Sequence, residues 1–229
     1  MLQQTQTSRV IEKYQNFIKA FPTVKALATA SNEEVLRLWQ GLGYNRRGLY
    51  LKRSCEIILE KYYGRLPTSR EELVMLPGIG INTAASIVAF AFDTPVVFIE
   101  TNIRRVFIHE FFSNKLEITD KEILELVELT LPKKDIREWY YALMDYGTFL
   151  AKTTQNPNRR SKHYKKQSTF EGSLRQTRGA ILKALLNGSI NKEALIARID
   201  NSIHFEKAIE QLLNEGFIEK NKNTYSIKS

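Results

Sequence analysis

Cysteine is nearly absent: Cys55 is the only one in 229 residues. A single thiol excludes a disulfide framework, a zinc site built from several cysteines and a four-cysteine iron–sulfur cluster. Histidine is scarce too. His109, His163 and His204 are scattered, and their spacing makes no metal site. The expectation is a protein with no metal and no other cofactor. No apolar run approaches membrane-spanning length, and the start lacks the pattern of a signal peptide. There is no β-rich half and no internal repeat. Together these absences predict a soluble, intracellular chain with no membrane partner.

What is present is charge of one sign. Lys+Arg number 34 against 25 Asp+Glu, a formal net charge of +9. Such a balance favours a polyanionic partner, though many ordinary proteins share it. The length allows one large or two small domains with a sizeable core.

The spacing of apolar residues predicts a mostly helical chain. "SRVIEKYQNFIKAF" carries Val10, Ile11, Tyr14, Phe17, Ile18 and Phe21 at helical intervals. "SNEEVLRLWQGLG" opens with Ser31 and has Glu34 three residues on, a capping-box signature. Further helical patterns follow through "DIREWYYALMDYGTFLAK". Composition shifts at about residue 151, where a polar, basic stretch begins. Beyond it, three helical patterns precede "FIEKNKNTYSIKS", which alternates around a polar turn like a short hairpin. Three helices and a hairpin make a winged-helix pattern.

Two stretches carry chemistry. "LPGIGINTAASIVAFAF" puts Pro77, Gly78 and Gly80 in a tight turn running into an apolar helix. Glycines let a backbone approach a surface closely, and a helix N-terminus behind them adds partial positive charge. That is a clamp for a phosphate and is indifferent to base identity. The plain alternative is an ordinary helix–helix turn. About one helix length on, "FIETNIRRV" holds an isolated carboxylate, Glu100. Its alternative is an N-cap or first-turn acid that answers a helix dipole.

These two stretches, with "MLQQTQTSRVIEKY" and "LWQGLGYNRRGLYL", resemble the helix-hairpin-helix DNA glycosylases of the HhH-GPD superfamily, specifically the MutY adenine glycosylases. The motifs run in the same order and nearly the same spacing from Met1 to about Lys152. The resemblance implies an all-α, two-lobed fold with a central hairpin, with DNA across the cleft and the target base flipped into a pocket. The predicted organisation is a glycosylase domain over 1–152, a basic linker over 153–172 and a small winged-helix-like domain over 173–229. Duplex DNA containing a mispair or lesion is the implied partner. A monomer in the cytoplasm, associated with the nucleoid, is the implied setting.

By the same resemblance, Glu100 stands where the family has a catalytic Asp, one methylene shorter. That carboxylate stabilises oxocarbenium character as the glycosidic bond breaks and helps position water. Asn82 stands where lyase-competent relatives have a Schiff-base Lys and MutY-like enzymes a Ser or Tyr. An amide forms no imine, which implies a monofunctional glycosylase without lyase activity. Asn102 matches an Asn near the sugar, or is a polar first-turn residue. Gln4 matches a residue that wedges into the duplex. Tyr44 matches one that stacks beside the opposite base, with core packing as the alternative. Thr5 and Leu42 fall in motifs that contact that base.

Three departures bear on the activity. The family's general-acid Glu lies two residues upstream of the residue matched by Met1, so either the native chain is longer or the chemistry proceeds without it. The four cysteines that follow "MDYG" in relatives are replaced by "NPNRRSKHYKKQSTFEG". There Arg159, Arg160, Lys162, Lys165 and Lys166 are candidate contacts to DNA phosphates, or a solvated linker. The C-terminal domain is not the long one of MutY. The leading expectation is removal of adenine opposite 8-oxoguanine or guanine. The alternatives are a uracil or thymine mismatch glycosylase, and a lesion-binding protein that has lost catalysis.

Overall fold

The computed structural model describes residues 1–2, 5, 7–166, 169–199 and 202–228. It is all-α apart from one small sheet, and it divides into two compact units. One is residues 67–167; the other joins residues 1–66 to 168–229.

The 67–167 unit contains α5 (Arg70–Val74), α6 (Ile81–Phe92), α7 (Thr101–Phe111), α8 (Asp120–Thr130) and α9 (Ile136–Thr153). Ala85, Ala89, Phe98, Ile103, Phe107 and Tyr140 are among the side chains of its core. The alanines let α6 pack closely, and α9 lies against both α6 and α7. The β-branched run before Glu100 forms no strand. It crosses the unit as extended chain, with the Tyr140 hydroxyl donating to the Val96 carbonyl at 2.7 Å. At the start of α8, Thr119 and Glu122 form a reciprocal cap, with Lys115 paired to the same carboxylate. Together these bonds hold the Glu122 carboxyl down to about 2, the Lys115 hydrogen bond contributing most.

The other unit begins with α1 (Thr7–Ala20), α2 (Val24–Thr29), α3 (Asn32–Trp39) and α4 (Arg46–Tyr62). Ser31 accepts from the Glu34 amide at 3.2 Å while Glu34 accepts from the Ser31 amide at 2.7 Å, so the capping box is built as expected. The apolar stripe of α1 is split. Val10 and Phe17 are buried, whereas Ile11, Tyr14 and Ile18 form a second, exposed row. Its two rows span more of the helix circumference than the α3 neighbour covers.

The chain returns to this unit with α10 (Leu174–Leu185), β1 (Ile190–Asn191), α11 (Lys192–Ala197), α12 (Phe205–Asn214), β2 (Ile218–Asn221) and β3 (Thr224–Ile227). The hairpin β2–β3 is joined by β1, which pairs antiparallel with β3, giving the order β1-β3-β2. Core side chains from both chain ends meet: Val35, Leu36 and Trp39 belong to one cluster with Leu182, Phe205 and Leu212. The Arg37 guanidinium donates to the Leu186 carbonyl at 2.5 Å, and Asn32 donates to that of Lys228 at 2.8 Å. Composition marks a boundary near residue 151, but this core is made across it.

Candidate active site

The glycine turn links α5 to α6. Gly78 has φ +75°, a left-handed value that side chains resist. Gly80 is different. Its φ is an ordinary −85°, and a Cβ built on it meets nothing within 4 Å. Nothing inside the protein requires glycine there, whereas an approaching surface would. Gly80 is the N-cap of α6 and provides no side-chain bond to the first turn, which contains no acid. Gly80, Ile81 and Asn82 are exposed, so this helix end faces solvent. Pro77 is half-buried, and Asn82 is exposed in the first turn of α6.

Glu100 is the N-cap of α7. Its Oε1 accepts from the Asn102 amide at 2.5 Å and the Ile103 amide at 2.9 Å. Capping is thus a real role for this half-buried carboxylate. It does not exhaust the group. Among the described residues no hydrogen bond reaches Oε2. The extra methylene lets the side chain fold back over the helix end while one oxygen remains available. No hydrogen bond joins Asn82 to Glu100 among the described residues.

Arg105 was not legible as part of this site. It is 9% exposed, and its Nη1 donates to Asn102 Oδ1 and to the Gly147 carbonyl, both at 2.6 Å. Burial pulls this guanidinium below its usual range, with the charge of Glu100 acting against that. The one available signal was the arginine pair in "NIRR", one of which had to face inward. Asn102 is thereby held in place. Gly147 makes the packing possible: a Cβ there would lie 2.6 Å from both the carbonyl oxygen and the Cβ of Asn102.

The basic stretch is not uniform. A 3₁₀ turn over Pro157–Arg160 packs against α7, with Pro157 and Asn158 buried. Asn158 donates to the Thr101 carbonyl at 3.0 Å, one residue after Glu100. The Ile118 amide donates to the Arg160 carbonyl at 3.0 Å, and the Lys162 amide to that of Ile118 at 2.9 Å. Arg160 is a correction to the expected phosphate contacts. Its guanidinium turns inward onto the carbonyls of Ile108, Phe112 and Ser113, closing the end of α7. Arg159, Lys162, Lys165 and Lys166 are exposed.

An iron–sulfur cluster does not fit here. The segment contains no cysteine, the ligand a four-cysteine cluster needs, and among its described residues the unpartnered buried side-chain atom is the Asn158 Oδ1 oxygen, which is no cluster ligand. Cys55 lies on α4 in the other unit, where burial, and secondarily Glu56, push its thiol up to about 11. No metal-holding group of three or more His, Cys, Asp or Glu occurs among the described residues. Among the same residues, no helix is long and apolar enough to cross a membrane.

Thr5, Leu42 and Tyr44 belong to the other unit. The Thr5 hydroxyl donates to the Leu42 carbonyl at 2.9 Å, so these two are brought together. The Leu42 side chain is 3% exposed and lies in the core. A contact of this residue with a base would have to run through its backbone. Tyr44 is 41% exposed rather than packed in the core. Gln4 lies outside the described residues.

Comparison with known proteins now gives this arrangement a context. The sequence model of the HhH-GPD superfamily of base excision DNA repair proteins matches residues 1–133. An adenine DNA glycosylase of Buchnera aphidicola subsp. Baizongia pistaciae is 34% identical over 151 residues, which are 66% of this chain and 43% of that protein. One from Mycolicibacterium smegmatis is 29% identical over 240 residues, covering 96% and 82%. The chain spans less than half the length of the Buchnera relatives it matches, 43% to 46%. Among solved structures, a thermostable thymine-DNA glycosylase aligns with TM-score 0.57 at 22% identity, covering 67% of this chain and 72% of that one. An endonuclease III trapped covalently on DNA gives 0.56 at 21%, covering 66% and 71%. These structures share the fold. With more than half of its residues matched by the family's model, the chain belongs to the HhH-GPD superfamily of base excision DNA repair proteins.

Proposed function

We propose that this protein is a DNA N-glycosylase that removes a mispaired base, adenine opposite 8-oxoguanine or guanine, by hydrolysis and without strand cleavage. The observation that carries the reading is Glu100. Two amides of α7 orient its carboxylate and leave one oxygen available, next to an Asn102 fixed by Arg105. As the glycosidic bond lengthens, the sugar gains cationic character. A preorganised carboxylate stabilises that charge more than it stabilises the neutral ground state. Water then bonds to the anomeric carbon, and the base departs with the bonding electron pair and takes up a proton.

The glycine turn would hold a phosphate through backbone amides of α6, setting the duplex without reading it. Tyr44 would supply an aromatic face to the base opposite the extruded one. Identity to adenine DNA glycosylases over most of the chain supports adenine as the target base. Asn82, an amide at the start of α6, supports the absence of a lyase step.

Single-turnover assays on duplexes with adenine, uracil or thymine mispairs test this. The expected result is release of adenine opposite 8-oxoguanine, leaving an abasic site that is cleaved only by alkali. Rates unchanged by chelator and no borohydride-trapped adduct are expected with it. Release of a pyrimidine instead would overturn the target base. A trapped adduct would overturn the monofunctional mechanism, and no release from any duplex would overturn the enzyme reading.

A further inference from the structure

The turn "GLGYN" is strained and firmly anchored. Gly41, Gly43 and Tyr44 all have positive φ, +86°, +70° and +45°. For Tyr44 this is a disfavoured backbone state, kept because its surroundings over-determine it. From below, the Trp39 indole donates to the Gly43 carbonyl at 3.1 Å, and the Arg47 amide to that of Tyr44 at 2.9 Å. The outcome is an exposed aromatic ring on a rigid stem.

The ring itself is met from the other end of the chain. Arg175, in the first turn of α10, donates from Nη1 to the Tyr44 hydroxyl at 2.7 Å, and its guanidinium lies 5.7 Å from the ring centroid. One turn on, Arg178 makes a two-pronged bond to Glu215, at 3.0 and 2.7 Å. Glu215 also pairs with Arg46, two residues after Tyr44, at 3.5 Å. The C-terminal helices therefore contact the tyrosine turn at Tyr44 and, through Glu215, at Arg46 just after it. On α12 the exposed charges are mixed, Glu206, Lys207 and Glu210, with Glu206 paired to Lys192. The basic end of α10 is the part directed at the turn.

We propose that Arg175 is a positioning residue for Tyr44, so that the C-terminal three-helix domain takes part in reading the base opposite the extruded nucleotide. The proposal rests on the proposed role of Tyr44 at duplex DNA. A ring free to change rotamer loses ordering entropy on stacking; one already held by a guanidinium loses less. The guanidinium also adds positive charge where a nucleic acid strand would pass.

The test is equilibrium binding of the full chain, independent of catalysis, to duplexes with a tetrahydrofuran abasic analogue opposite 8-oxoguanine, guanine, cytosine or thymine. Tyr44→Ala should weaken binding about tenfold and flatten the order of the opposite bases. Arg175→Ala and Tyr44→Phe should each weaken the preferred duplex about threefold, the effect of one lost hydrogen bond. The double variant should be no worse than Arg175→Ala alone, because the hydrogen bond that Tyr44→Phe removes is already gone there. Arg198→Ala, a charge loss elsewhere on the same domain, should lower all affinities alike and leave the order intact. Additive losses in the double variant would overturn the proposal, as would an Arg175→Ala protein with wild-type ordering. If Tyr44→Ala itself changes nothing, the proposed role of Tyr44 falls first. Melting temperatures near wild type in every variant keep misfolding out of the comparison.

Discussion

In the 67–167 unit, the glycine turn, Asn82, Glu100 and Asn102 follow one another within a short length of chain. The turn and the carboxylate are set by local geometry, a left-handed glycine and an N-cap. In the other unit the exposed Tyr44 meets Arg175 across a separation of 131 positions. There the geometry is set by tertiary contact, through a core that both chain ends build together. Local devices tolerate change elsewhere in the chain. Long-range ones require both partners, and they let a domain attached at the end of the sequence act on a turn near its beginning.

The sharpest way to break this contrast is at Glu100, where capping and catalysis share one side chain. Glu100→Gln keeps a carbonyl oxygen that can accept from the Asn102 and Ile103 amides but removes the charge. Excision should fall on the order of 10²–10³-fold, while DNA binding and melting temperature stay near wild type. Glu100→Ala should lose both, and the missing cap should cost about 1 kcal/mol of stability. Excision by Glu100→Gln at the wild-type rate would leave Glu100 a cap and nothing more.

Gly147 tests whether the local site depends on tertiary packing after all. An alanine Cβ would stand 2.6 Å from Asn102 backbone and side-chain atoms, and α9 would have to move away from α7. Overpacking of that kind costs about 1–3 kcal/mol. Gly147→Ala should lower the melting temperature and also reduce excision, because Arg105 bonds to both Gly147 and Asn102. A loss of stability with full excision would separate the helix packing from the site.

The parts read correctly from sequence are those with short-range signatures. The Ser31–Glu34 box, the turn into α6, the N-cap alternative for Glu100, and the three helices and hairpin of residues 174–227 are each written in neighbouring residues. What was not legible depends on contacts between distant positions. Leu42 sits in a motif next to Tyr44, yet one side chain is buried and the other exposed, because the turn's positive φ values point them apart. Arg105 and Arg160 look like surface cations in a basic chain. Both guanidinium groups donate to backbone carbonyls, Arg105 buried and Arg160 half-buried, a use that charge counting does not reveal. Strand β1 has two residues and is defined only by its partner β3.

The smallest expected effect separates the cations within one loop. Arg159, Lys162, Lys165 and Lys166 are exposed, while Arg160 closes the end of α7. Neutralising the four exposed residues should flatten the dependence of log K on log salt by about one unit for each that contacts a phosphate. The fold should hold, since among the described residues none of the four side chains makes a hydrogen bond or ion pair. Arg160→Met should do the reverse: the slope stays, and stability drops by about 0.5–1.5 kcal/mol as part-buried carbonyls lose their donor. Gly80→Val gives a third pattern, with weaker binding to every duplex and an unchanged slope, because a backbone clamp carries no full charge. A salt titration of the three variants on one duplex distinguishes them. If the four-charge variant keeps the wild-type slope, the exposed loop is solvated surface, and the electrostatic contribution to DNA binding must come from cations elsewhere in the chain.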